Sequence, residues 1–547
     1  MATSFRLILG ASILTNGAPV AAQTVLDRVD PGTRSVPRVA EPTPEPDSAI
    51  LGIEPSTTSA AASSDILIGA VRFQGLQALT PADFADVIEP FLGRTASPRD
   101  LAELTEKVAA RARSRGYFFA TAAIEPQRLA VGVLTVTVDE GQVDEVRIDG
   151  PDHPAIRAAL APLTTGRPAT LAEVERRLLI AGDVDGVWVR SARYVREGGR
   201  GILVVKPVIT RTAGRVAISN DNVRAIGPEM AYARFDLRQI AASDDVLSVS
   251  YSGTVFQPSE FNSGRVRYGK RVSSAGTELS VSAGLSRAQP GADLTPLNIL
   301  GRSWSVNLSA LHPLTRRRAA SLWLSADLDL RDIEQQRRGA LSRADRLTVA
   351  RLGLRGFAQT GVGRLRAGAT ASRGLDLFGA TRRGDPLATR RDADGVFTTA
   401  GAWADWTMPI AGQLSLRAAA EAQVADRPLL VSEEFQLGGQ AFLRGYDWSE
   451  RLGDTGSAGV VELRYDWKNP LGIMRRLQVY GFADGGRVIN LRGGRGGGAL
   501  ASAGGGLRAD VTPRLGATFE VAAPLTDPRF ETGDRRPRIV FSLFRTF

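Results

Sequence analysis

Arg444-Gly445-Tyr446 and the later trio Phe482, Asp484 and Gly486 are the residues whose types and spacing could do chemistry. A guanidinium and a carboxylate can meet in a bidentate ion pair, so the chemistry they suggest is anchoring rather than bond-breaking. Gly445 would permit a backbone turn that a side chain forbids, and Tyr446 offers a large face with a polar tip. The rest of the chain supports this restriction. It has no Cys, which removes disulfides and thiolate metal sites, and only two His, His153 and His312, each beside a Pro as in a turn. GxSxG, P-loop and HExxH patterns are missing. The carboxylates Asp327, Asp329, Glu421 and Glu462 are expected to pair with arginines rather than act in acid–base catalysis. No enzyme, metal site or cofactor is assigned.

The elements that must position these residues are strands. After Pro207 the sequence alternates strictly. Trp304, Val306, Leu308 and Ala310 interleave with Ser303, Ser305, Asn307 and Ser309; Val461, Leu463, Tyr465 and Trp467 interleave with Glu462, Arg464 and Asp466. A period of two with one polar face marks a strand, and segments of about ten residues, apolar to lipid and polar to a lumen, mark a membrane barrel. About sixteen such segments can be placed, the even number a bacterial barrel requires. From the sixth on, short links (Pro313 to Arg318, Asn469 to Met474) alternate with long ones (Gly374 to Gly395, Ala425 to Gly456), as periplasmic turns and outer loops do. Arg444 falls in the sixth outer loop, and Phe482 and Asp484 fall on the lumen phase of a strand. At the C-terminus Ile539, Phe541 and Leu543 alternate before Phe547, with Arg545 interrupting the apolar face.

Residues 1–22 read as a secretory signal, with Arg6, the apolar run Leu7 to Leu14 and Val20-Ala21-Ala22 as a cleavage site. Residues 23–64 read as a short helix (Thr24 to Asp30) and a Pro-rich linker. No later run is long and apolar enough for a transmembrane helix. Residues 65–141 and 142–207 repeat one order of elements, β-α-α-β-β. The first copy has a strand Leu67 to Phe73, a helix from Pro81 to about Phe91 and a second helix opened by Ser97-Pro98 and stopped by Gly116. Strands Phe118 to Ile124 and Val131 to Val138 close it. Each copy resembles the polypeptide-transport-associated (POTRA) domain, and Gly116-Tyr117 fits that family. The fold class is therefore mixed: two α+β POTRA-like domains, then a 16-stranded antiparallel transmembrane β-barrel over 208–547. The net charge of +10 comes from scattered arginines, with only four Lys, and no basic stripe is interleaved with aromatics, so nucleic acid is not a partner.

Arg444, Gly445 and Tyr446, with Phe482, Asp484 and Gly486, resemble the paired motifs of two-partner secretion transporters, whose loop reads Val/Ile-Arg-Gly-Tyr and whose barrel wall reads Phe-x-Asp-x-Gly. Leu443 replaces the usual β-branched residue. The superfamily also contains the barrel-assembly insertases. The resemblance implies an outer-membrane protein with periplasmic N-terminal domains. Its partners would be a large secreted exoprotein of the adhesin or hemolysin class, outer-membrane lipid, and the barrel-assembly machinery during biogenesis. It also implies that client binding uses a POTRA strand edge and that the energy comes from the client folding outside. The alternatives are an insertase, whose relatives usually carry three or more POTRA domains, and a passive porin, which has no use for periplasmic domains.

Overall fold

The structure, a computed structural model, describes residues 51–53, 65–127, 132–492, 494 and 496–547. The signal sequence, the helix at Thr24 to Asp30 and most of the Pro-rich span lie outside the described residues. Within that span, however, Leu51–Ile53 forms a strand that pairs in parallel with Ala192–Tyr194, at the sheet edge of the second small domain. Leu-Gly-Ile is an apolar triplet inside polar sequence, which suits it to an edge.

In the first small domain the helix Pro98–Ser114 is capped by Ser97, whose side chain accepts from Asp100 N–H while Asp100 accepts from Ser97 N–H. Its apolar face buries Leu101, Leu104, Val108 and Ala112 against Leu134, Val136 and Val138 of the sheet. The single helix expected up to Phe91 is instead three short turns, Pro81–Phe84, Ala85–Ile88 and Glu89–Phe91. Pro90, which has no N–H to donate, sits in the last of them. The strand expected from Leu67 to Phe73 breaks at Gly69. Its first part, Ile66–Ile68, pairs with Arg94–Ala96, a strand the sequence pattern did not suggest.

Phe118 to Ile124 is strand only at Thr121–Ala123, because Phe119 turns into the next domain. There it stacks on Tyr194, with ring centroids 4.1 Å apart, among Val143, Leu160, Leu178 and Leu203. Gly141 (φ +83°) makes this possible: a Cβ there would lie 2.5 Å from the Phe119 Cβ. The two small domains are thus interlocked through a shared core residue.

The second domain docks on the barrel rim through the helix Leu171–Gly182. Arg271 donates to the Ile180 and Asp183 carbonyls at its C-terminal end, where unpaired carbonyls carry partial negative charge. Arg316 grips the Asp183 carboxylate with two bonds, of 2.7 and 2.5 Å. Arg318 N–H donates to Glu175.

Sixteen antiparallel strands close the barrel, and the first (Thr212–Ser219) pairs with the last (Arg538–Thr546). The expected strand starts agree within a few residues except one. The eighth strand begins at Ala340 rather than near Arg346. It joins the seventh (Ala320–Arg337) through the two-residue turn Arg338-Gly339, with φ of 51° and 81°. Residues 340–346 read Ala-Leu-Ser-Arg-Ala-Asp-Arg and lack apolar alternation, so the period of two does not mark this part of the strand. Exposed Ile539, Phe541, Leu543 and Phe547 lie on the outer face, with Arg545 in the same phase. That places its guanidinium at the periplasmic edge, where a long basic side chain can reach water.

His153 precedes the helix Pro154–Leu160, is buried, and lies 2.9 Å from the Gln239 side chain of the first periplasmic turn. Burial pushes its imidazole below the usual value of 6.5, against the opposing pull of Asp244 and Asp152. The unfolded chain therefore takes a proton more readily than the folded one. The stability contribution is full above pH 6.5 and falls as pH drops through it toward the lowered folded value. Once the intrinsic slowing of amide exchange with falling pH is divided out, the protection of residues 153–163 should fall between pH 7.5 and 5.5 in the wild type, and His153→Gln should flatten that dependence.

Candidate functional site

The sixth outer loop, between the eleventh strand (Leu414–Ala425) and the twelfth (Thr455–Lys468), turns back into the barrel. Its entry is held where Glu433 accepts two bonds from Arg351 of the eighth strand, at 2.9 and 2.8 Å. Its base is held by Arg390 of another outer loop, which donates to Glu434 and Asp454 at 2.6 and 2.7 Å. Between these points the short strands Phe435–Leu437 and Arg451–Gly453 pair. The segment between them carries Arg444 to the opposite wall, formed by the twelfth to fifteenth strands.

There Arg444 is 4% exposed. Its backbone N–H donates to Asp484 at 3.1 Å and its Nε lies 3.4 Å from the same oxygen. Its Nη1 donates to Glu462 at 3.0 Å and to Glu520 at 2.9 Å. The guanidinium carbon sits 3.3 Å from the centre of the Phe482 ring, a cation–π contact in a desolvated setting. The expected Arg444–Asp484 pair is therefore present but not isolated. Arg508 donates to Glu462 at 2.7 and 3.2 Å, Arg464 donates to it as well, and the Tyr480 hydroxyl donates to Glu520 at 2.8 Å. Three carboxylates face three guanidiniums, and the charges balance.

All six motif residues come together. Gly445 does not serve the turn expected of it. A Cβ there would lie 2.8 Å from Ala523 C, Pro524 N and the Ser502 Cβ, so glycine is needed for close approach to the wall, where its N–H donates to Ser502 at 3.0 Å. The positive φ belongs to Leu443, at 60°, a conformation that a β-branched residue adopts only at considerable strain. Tyr446 is fully buried, and its hydroxyl lies 2.8 Å from Thr526 Oγ1. Gly486 makes room for Leu437 of the loop; a Cβ would come within 2.8 Å of its Cδ2. Glu462 was legible as a lumen carboxylate. Arg464 stands on the same polar phase, whereas nothing in the local sequence distinguishes Tyr480, Ser502, Arg508 and Glu520 from other residues on the lumen faces of their strands.

Comparison with known proteins places this geometry. The model of the haemolysin secretion/activation proteins ShlB/FhaC/HecB matches residues 199–509, more than half of the chain. The chain belongs to the ShlB/FhaC/HecB family. A ShlB-type POTRA model matches residues 66–141 of this family member. The heme/hemopexin transporter protein HuxB of Haemophilus influenzae is 21% identical over 248 residues, 44% of this chain and 43% of HuxB. The outer membrane transporter CdiB of Escherichia coli is 26% identical over 197 residues, 36% of this chain and 32% of CdiB. The chain thus spans less than half the length of the curated relatives it matches. Among solved structures, CdiB from Escherichia coli superposes with a TM-score of 0.71 at 20% identity, covering 90% of this chain and 93% of that one. BamA from Haemophilus ducreyi gives 0.51 at 13% identity, over 88% and 100%. The barrel lies in the outer membrane with its POTRA domains in the periplasm.

Removing Arg444 leaves three buried carboxylates short of a cation, a change that costs about 3–5 kcal/mol when one partner of a buried pair is deleted. In Arg444→Ala this loss falls on loop docking rather than on the sixteen-strand ladder. The barrel should stay heat-modifiable while the segment around residue 444 becomes cleavable by protease. Asp484→Ala should release the loop less, because Glu462 and Glu520 still hold Arg444. The double variant should fall short of the sum of the two, and full additivity in limited proteolysis would refute a shared cluster.

Proposed function

We propose that this chain is a two-partner secretion transporter that receives a large unfolded exoprotein in the periplasm and conducts it through the barrel to the cell surface. The observation that carries the reading is a long outer loop folded into the lumen and latched to the wall by one buried arginine. A porin held open for solutes has no need of such a latch. The second POTRA domain, fixed to the rim through Arg271 and Arg316 and sharing Phe119 with the first, puts a receiving surface directly beneath the lumen. The reading takes the chain as a channel and not an enzyme.

In this mechanism the latched loop and the passing client compete for one space. The latch keeps the free transporter closed, because displacing the loop takes Arg444 away from Glu462, Asp484 and Glu520 and leaves those carboxylates short of a cation. Client contacts at the periplasmic domains and folding of the client outside offset that cost. The six motif residues then serve as a resettable closure, and Arg444 carries its charge chemistry.

A photo-crosslinking residue placed at Trp188, which is 54% exposed on the second small domain, and another at Asp327 on the lumen face of the seventh strand test the route. A client stalled by a fast-folding C-terminal fusion should cross-link to both positions. Capture at Trp188 without capture at Asp327 would exclude passage through the barrel. Arg444→Ala should lower secreted client per folded transporter severalfold. Secretion at the wild-type level in that variant would separate the latch from transport.

A further inference from the structure

The outer wall of the barrel carries a groove of about 790 Å³ that neither the lumen nor the loop uses. It crosses the third to eighth strands near their extracellular ends. Lumen contacts fix its orientation. Asn307 and Arg351 both donate to Asp329 inside the barrel, so Trp304, three residues from Asn307 and therefore on the opposite face, points to lipid, as its exposure of 44% agrees. Leu285 and Tyr251 lie in register with Trp304 on the same outward face, across Gly264. They form an apolar and aromatic floor of the kind found where lipid tails meet headgroups.

Above that floor stand Arg287 and Arg302, two residues nearer the outer rim than Leu285 and Trp304. The strand register puts them directly opposite one another. Like charges directly opposed across a strand pair are destabilising unless something lies between them. Among the described residues the Arg287 side chain bonds only the neutral Gln289 side chain, at 3.2 Å, and the Arg302 side chain makes no hydrogen bond or ion pair. Two carboxylates are near. Asp332 is engaged by Arg346 at 2.7 Å, and Glu334, across from Arg302 on the other side, forms no ion pair with it. Two guanidiniums at the headgroup level, free of carboxylate partners, over an aromatic and aliphatic floor, match an amphiphile that carries a phosphoryl group above acyl chains.

We propose that this groove binds a phosphorylated glycolipid of the outer leaflet, its phosphoryl group bridging Arg287 and Arg302 and an acyl chain lying along Leu285 and Trp304. Guanidinium suits the role because its planar donors take phosphoryl oxygens two at a time. The site is independent of the transport reading. It needs only that the barrel lies in the outer membrane, and it would persist if the chain carried no client.

Native mass spectrometry of the full chain in mild detergent, titrated with bisphosphorylated lipid A, tests it. The wild type should hold one lipid through washing. Arg287→Gln/Arg302→Gln should bind at least about tenfold more weakly, since charge-assisted bonds are lost. Glu334→Gln, which removes the opposing carboxylate, should bind more tightly. Heat-modifiability checks that each barrel is folded. Dephosphorylated lipid A and phosphatidylglycerol should bind more weakly than lipid A, and millimolar inorganic phosphate should not displace it. Equal affinity in the double arginine variant, displacement by free phosphate, or indifference to the lipid's phosphoryl groups would each overturn the assignment.

Discussion

The guanidinium of Arg444 is the constraint on which the lumen is arranged. Moving a cation out of water is costly, and it is tolerated only where carboxylates surround it with good geometry. Glu462, Asp484 and Glu520 come from three different strands, so their meeting point fixes the relative height of those strands as well as the loop. The same carboxylates would repel one another without the arginine, and Arg464 and Arg508 balance what remains. Each member of the cluster therefore has its position set by the others. The arrangement specifies one docked loop geometry more than it adds stability.

A second chain of constraints runs below. Phe119 belongs to the first periplasmic domain by sequence and to the second by packing, and Arg271 and Arg316 tie the second domain to the barrel rim. Deleting either small domain would expose the core of its neighbour. From the first helix to the sixth strand the contacts are continuous, so a load applied to the first domain is carried to the turns that join the strands.

Much of this was legible from residue types and spacing, for identifiable reasons. A period of two is a strong local pattern, so Trp304 to Ala310 and Val461 to Trp467 declared both the strand and its lipid face. The same period put Phe482 and Asp484 in the lumen, and the length of the sixth loop marked Arg444. What stayed hidden is what depends on height across strands that are not neighbours. Glu520 and Arg508 alternate inward like many other residues, and nothing within a single strand says which of them stands level with Arg444. The role of Gly445 is hidden for a similar reason: its need arises from Ala523 and Pro524 on a distant strand rather than from its own backbone. In the periplasmic part, Pro90 and Gly69 broke elements that apolar periodicity joined, and three apolar residues within a polar span sufficed for an edge strand.

That edge strand has a consequence for the order in which the chain takes shape. Leu51–Ile53 meets Ala192–Tyr194 across a large stretch of intervening sequence that includes the whole first domain. A contact that closes so long a loop must repay its closure entropy, and three paired residues repay little. The segment is synthesised before its acceptor exists and cannot dock until that strand is in place, and with only three paired residues it has little to hold it. The rim of the second domain can therefore open locally, baring a row of backbone N–H and C=O groups along Ala192–Tyr194, while the core behind it stays intact.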